Sequence, residues 1–141
     1  LVRAAEHVQR HAAVRREGTD ITLVSYSNMV NKCLKAAETL AADGISCEVI
    51  DLRTLVPLDM DTVVASISKT HRAVVAHEEW KNAGFGAELA ARIYEQAWDE
   101  LDAPVGRVGG ADVPMPYAKN LERAAIPTDI DVIAAVKHAL K

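Results

Sequence analysis

Aromatic side chains are scarce in this chain: one Phe, two Trp and three Tyr among 141 residues. A core with so few rings must be filled by aliphatic side chains, and half of the residues are apolar. Only two cysteines occur, Cys33 and Cys47, in neither a C-x-x-C nor another metal spacing. That argues against a disulfide framework and for free, buried thiols in a reducing compartment. No apolar run approaches the ~20 residues of a membrane span. The first residues lack the apolar stretch of a secretory signal, so none is expected. A basic excess is missing too: the net charge is −4 and the pI about 5.7. Neither a nucleic-acid partner nor a membrane is therefore expected. There is no Walker A lysine, and Gly84-Phe85-Gly86 departs from G-x-G-x-x-G because Leu89 holds the third position.

What is present reads as one domain with enough length for a real core. Residues 1–17 carry Arg3, Arg10, Arg15 and Arg16 against Glu6 and Glu17, and are read as a basic N-terminal arm or linker before a domain over 18–141. From Thr19 strands and helices alternate. Ile21–Tyr26, Cys47–Leu52, Arg72–His77 and Pro104–Val108 are short apolar runs of strand type. Helices are expected over 28–43, 59–69, 87–100 and 118–125, with a last one after Thr128. Ser27, Asp59 and Thr128 are the expected N-caps, Asp131 completes a capping box, and Gly44 suits a left-handed C-terminal position. Val63, Val64 and Ile67 are expected to face inward. Pro114 and Pro116 stiffen the loop that follows the last strand. This order gives an α/β fold, a three-layer αβα sandwich with a mostly parallel sheet.

Sites in such sheets lie beyond the carboxyl ends of the strands. That singles out Ser25–Asn28, Asp51–Thr54, His77–Trp80 and Gly109–Asp112. His77-Glu78-Glu79-Trp80 is the densest polar cluster. It offers a general base with an orienting carboxylate, a carboxylate pair, a contact with a substrate channel, or hydrogen bonds to a loop or neighbouring chain. The last reading is favoured, because no nucleophile or metal shell stands nearby. Gly84-Phe85-Gly86 reads better as a tight turn with close helix packing than as an anion cradle. His7 and His11 have a zinc-compatible spacing but no third ligand. Arg53 could pair an anion, Asp51 or Asp59. Asp99, Glu100 and Asp102 close the expected long helix with acids, against the macrodipole, at roughly 0.3–1 kcal/mol each. An acidic patch placed so suggests a basic partner.

Five strings together carry a resemblance: REGTDITLVSYS, ISCEVIDLRTLVPLD, HEEW with AGFGAELAARI, LDAPVGRV and GADVPMPYAKNLE. They resemble the C-terminal transketolase-type domain of the β subunit of 2-oxoacid dehydrogenases, from Val14 onward, and above all that of the pyruvate dehydrogenase decarboxylase component. DVPMPY points to pyruvate, while the histidine of HEEW resembles the branched-chain relatives. The resemblance implies an oxidoreductase that decarboxylates a 2-oxoacid and passes the acyl group to lipoamide. Its thiamine diphosphate and magnesium sit between the α subunit and the β subunit's N-terminal domain, so neither cofactor is expected on this chain alone, which is expected to be inactive. It further implies packing against an α subunit and a second β subunit. It also implies docking of the basic peripheral subunit-binding domain of the dihydrolipoyl acyltransferase. In relatives the aspartate of LDAP and the terminal carboxylate take part. These fall on Asp102 and Lys141, beside Asp99 and Glu100; here the last residue is a lysine, whose side chain adds positive charge. Two alternatives remain: a stand-alone interaction module that is not catalytic, or the C-terminal domain of another thiamine enzyme. The isolated chain is expected to dimerise, and the implied location is a bacterial cytoplasm or a mitochondrial matrix.

Overall fold

The computed structural model describes residues 11–141. Among these residues five strands form one sheet: β1 (Ala13–Arg16), β2 (Ile21–Ser25), β3 (Cys47–Asp51), β4 (Ala73–Trp80) and β5 (Gly106–Gly110). Their order is β1-β3-β2-β4-β5. All neighbours are parallel except β1, which runs antiparallel to β3. The helices are α1 (Met29–Ala42), α2 (Met60–Thr70), α3 (Phe85–Ala97), α4 (Lys119–Ala125) and α5 (Asp129–Ala139).

The central strand β2 is buried along its whole length, as expected of a parallel strand covered on both faces. Ile21 and Leu23 pack on α1 and α5 through Met29, Cys33, Leu40, Val132 and Val136. Val24, with Ile50 and Val75, packs on α2 and α3 through Val63, Ile67, Leu89 and Ile93. The three-layer sandwich is therefore present. The buried hydroxyl of Thr22 is satisfied by Ser66 and Thr70 of α2, each at 2.6 Å.

Two caps form as expected. Asp59 accepts the backbone N–H of Thr62 at 3.1 Å, and Thr128 with Asp131 makes the capping box of α5. Gly44 has a φ of +80° just beyond α1. Several expectations need correction. Ala13–Arg16, assigned to the arm, form an edge strand, so the sheet begins before residue 18. Ser27 does not cap α1. Asn28 holds that position, and its amide donates to Glu78 at 2.9 Å instead of turning back on the helix. Val64 is only half-buried, while Val63 and Ile67 are fully inward. Strand β4 runs on to Trp80, because Trp80 pairs with Gly110 of β5. Helix α3 ends at Ala97, and Trp98–Glu100 form a separate 3-10 turn.

Candidate functional site

Beyond the carboxyl ends of the strands, side chains alternate across β4 and are thereby separated. Glu78 turns toward α1. It accepts from Asn28 at 2.9 Å and from Lys32 at 3.1 Å. Burial would raise its pKa, but these donors outweigh burial and hold the carboxyl below its usual range. Glu79 turns to the opposite side. It accepts the Tyr26 hydroxyl at 2.9 Å and the Phe85 N–H at 2.7 Å. Burial, then the hydrogen bond to Glu79, pushes the Tyr26 phenol far up. The two glutamates thus serve separate structural contacts and do not act as a carboxylate pair.

His77 is completely buried, and neither ring nitrogen has a hydrogen-bond partner. Its Nδ1 stands 3.9 Å from Glu79 Oε2, beyond hydrogen-bond reach. Burial chiefly holds its pKa below the ordinary histidine range; Glu79 opposes this and Arg107 adds to it. A histidine sealed in this way presents no proton acceptor to a substrate at the surface. The glycines of the Gly84-Phe85-Gly86 turn make the room for its ring, since a Cβ on Gly86 would overlap the imidazole. The expected tight turn with close packing is present, and the ring that it admits is what spacing did not show.

Other candidates resolve in the same direction. Burial pushes the Cys33 thiol to about 12 and the Cys47 thiol to about 11, so neither is a nucleophile near neutral pH. His11 lies 3.4 Å from Asp59, and His7 lies outside the described residues. Asp51 is paired with Arg15 at 3.2 Å, and Arg53 meets Asp51 only through its backbone N–H. Among the described residues no three His, Cys, Asp or Glu side chains converge as a metal site requires.

The acids of the 98–102 turn lie at the opposite end of the sheet, beside the amino end of β4. Asp102 N–H donates to the His71 carbonyl at 2.9 Å, just before Ala73 opens that strand. Glu100 lies 3.7 Å from His71, and Asp102 lies 3.6 Å from Arg72. These partners, from the α2–β4 loop, offset the unfavourable placement expected from the helix alone. Both carboxylates stay substantially exposed. Lys141 follows α5 at this same end, where Lys137 pairs with Asp43 at the close of α1. The structure therefore puts Asp99, Glu100, Asp102 and Lys141 on one end of the molecule, and His77, Glu78 and Glu79 on the other.

A third feature is apolar. Trp80, Val113, Met115, Tyr117 and Leu121 are all exposed large hydrophobic residues. The Trp80 indole donates to the Val113 carbonyl at 2.9 Å, which ties β4 to the proline-stiffened loop.

Comparison with known proteins agrees with this architecture. The model of the transketolase C-terminal domain matches residues 10–132. A relative from Dictyostelium discoideum, "Pyruvate dehydrogenase E1 component subunit beta, mitochondrial", is 51% identical over 90% of this chain and 36% of its own length. The Rickettsia bellii "Pyruvate dehydrogenase E1 component subunit beta" is 53% identical over 89% of this chain and 39% of its own. A solved structure described as "Split gene transketolase, inactive beta4 tetramer" is 34% identical. It covers 94% of this chain and 42% of that one, with a TM-score of 0.76. The chain spans little more than a third of the length of these two curated relatives. On the matched family model and these identities, the chain belongs to the transketolase C-terminal domain family.

Proposed function

We propose that the chain is the C-terminal domain of the β subunit of a thiamine-diphosphate-dependent 2-oxoacid dehydrogenase acting on pyruvate. The observation that carries this is the identity of about half over nine-tenths of the chain to relatives named as that subunit. In this reading the domain assembles subunits and docks a partner, and the chemistry belongs to the rest of the enzyme. Thiamine diphosphate and magnesium would be held by the α subunit and the β subunit's N-terminal domain. The exposed strip from Trp80 to Leu121 supports packing against the α subunit or a second β subunit. The exposed carboxylates Asp99, Glu100 and Asp102, with Lys141 at the same end of the sheet, support docking of the basic peripheral subunit-binding domain of the acyltransferase, to whose lipoamide the acyl group passes. Relatives named as mitochondrial and relatives from Rickettsia support a mitochondrial matrix or a bacterial cytoplasm.

The genomic sequence upstream of Leu1 tests the reading. An in-frame pyrimidine-binding domain is expected there, and a stand-alone reading frame lacking one would contradict it. Light scattering tests the assembly role. The isolated chain should self-associate through its exposed apolar strip, and a clean monomer at all concentrations would contradict that.

A further inference from the structure

His77 has no part in assembly or docking as described above, yet it is the most unusual polar side chain in the core. It lies on the face of β4 that packs toward α3, with none of its surface exposed. Buried polar groups are normally hydrogen-bonded, and an orphaned imidazole calls for a reason. Its enclosure is built from glycine. A Cβ on Gly86 would overlap the ring, and one on Gly84 or Gly109 would stand 3.0 or 3.1 Å from its Cε1.

Glu79 borders the ring and is committed elsewhere. The oxygen that lies 3.9 Å from Nδ1 also accepts the N–H of Phe85, the first residue of α3, at 2.7 Å. Gly84 at the N-cap has no side chain to do this, so Glu79 supplies the side-chain acceptor for the start of α3. Its other oxygen holds Tyr26 after β2. The charged groups facing the imidazole are Glu79 from its own strand and Arg107 from β5. Helix α3 presents Gly86 to the ring, and its first-turn Glu88 is paired with Arg92 at 2.7 Å. Lys81 follows in the turn, its Cα close beneath Gly109.

We propose that His77 and Glu79 form a proton-operated latch on the turn between β4 and α3. A proton from solvent adds to the imidazole, and no bond other than hydrogen bonds is broken. The imidazolium then draws the Glu79 carboxylate inward. The Phe85 N–H loses its acceptor, and the 80–84 turn that carries Trp80 loosens. Near neutral pH the ring is uncharged, because burial disfavours the cation, and the latch is closed. The folded chain binds this proton less readily than the unfolded chain. Stability is therefore full above the ordinary histidine range and declines as the pH falls below it.

An NMR pH titration of the isotopically labelled 141-residue chain tests the latch. The His77 ring should protonate below the ordinary histidine range, and the Phe85 amide and Trp80 indole should shift with the same midpoint. Glu79→Gln keeps an acceptor for Phe85 but removes the charge. In that variant the His77 midpoint should fall further, and the Phe85 amide should no longer follow it. A Phe85 amide that stays still while His77 titrates would overturn the proposal. So would the same movement in Glu79→Gln, or cooperative unfolding while His77 is still neutral.

Discussion

Asp59 accepts the backbone N–H of Ala12, 47 residues earlier, at 2.9 Å. The same carboxylate caps α2 through the Thr62 N–H and hydroxyl, at 3.1 and 2.8 Å. One side chain thus starts a helix and pins the segment that leads into the edge strand β1. Burial alone would raise its pKa. The Thr62 and Ala12 bonds, with His11, outweigh burial and lower it.

Asp59→Ala should therefore destabilise the chain by about 1–2 kcal/mol at neutral pH, the usual range for a lost helix cap. A carboxyl with a lowered folded pKa stabilises above the unfolded value of about 3.9, and that stability is lost as pH falls through the lower folded value. Urea unfolding of both proteins at neutral and acidic pH checks this. The difference between them should shrink in acid, and equal stability at neutral pH would contradict the cap.

Thr22→Val should cost about 1–2 kcal/mol, because it removes the hydroxyl that links Ser66 and Thr70 inside the core. Thr70 keeps its contacts with the Ser66 and Arg72 carbonyls, so the loss falls mainly on Ser66. Chemical denaturation with an unchanged midpoint would show that the hydroxyl cluster contributes nothing.

Gly86→Ala places a methyl group where the His77 ring lies. Overpacking of this kind costs about 1–3 kcal/mol. The double variant Gly86→Ala with His77→Ala should recover part of that loss. A single variant as stable as the parent in thermal unfolding would mean that the glycine is not there to admit the ring.

The parts of the fold legible in the sequence are those fixed by local chemistry. The apolar spacing of Val63 and Ile67, Asp59 at a helix start, the Thr128 and Asp131 pair and Gly44 after a helix each act within a few residues. Strand β1 was not legible. Ala-Val-Arg-Arg has little apolar pattern, and only pairing with distant β3 makes it a strand. Ser27 reads as a cap by type, but Asn28 takes the position, and its side chain is claimed by Glu78 across 50 residues. His77 was legible as a polar residue at a strand end, yet its seal depends on Gly109 from another strand. The acids at 99–102 were legible as a patch. Their partners His71 and Arg72 were not, because the topology alone brings that loop beside them.

Removing two of those acids tests the proposed docking surface. Glu100→Ala with Asp102→Ala should weaken binding of the acyltransferase's basic domain and reduce its salt sensitivity. The change also leaves the Arg72 guanidinium without its Asp102 partner, which unmasks a positive charge where a basic partner would sit. Unchanged affinity and salt slope would place docking elsewhere.

Calorimetric titration of the chain with a peripheral subunit-binding domain, at low and at high salt, tests the proposed role most directly. The account predicts binding that weakens as salt rises, as expected for exposed carboxylates meeting a basic module. No binding at low salt, or binding indifferent to salt, would contradict it.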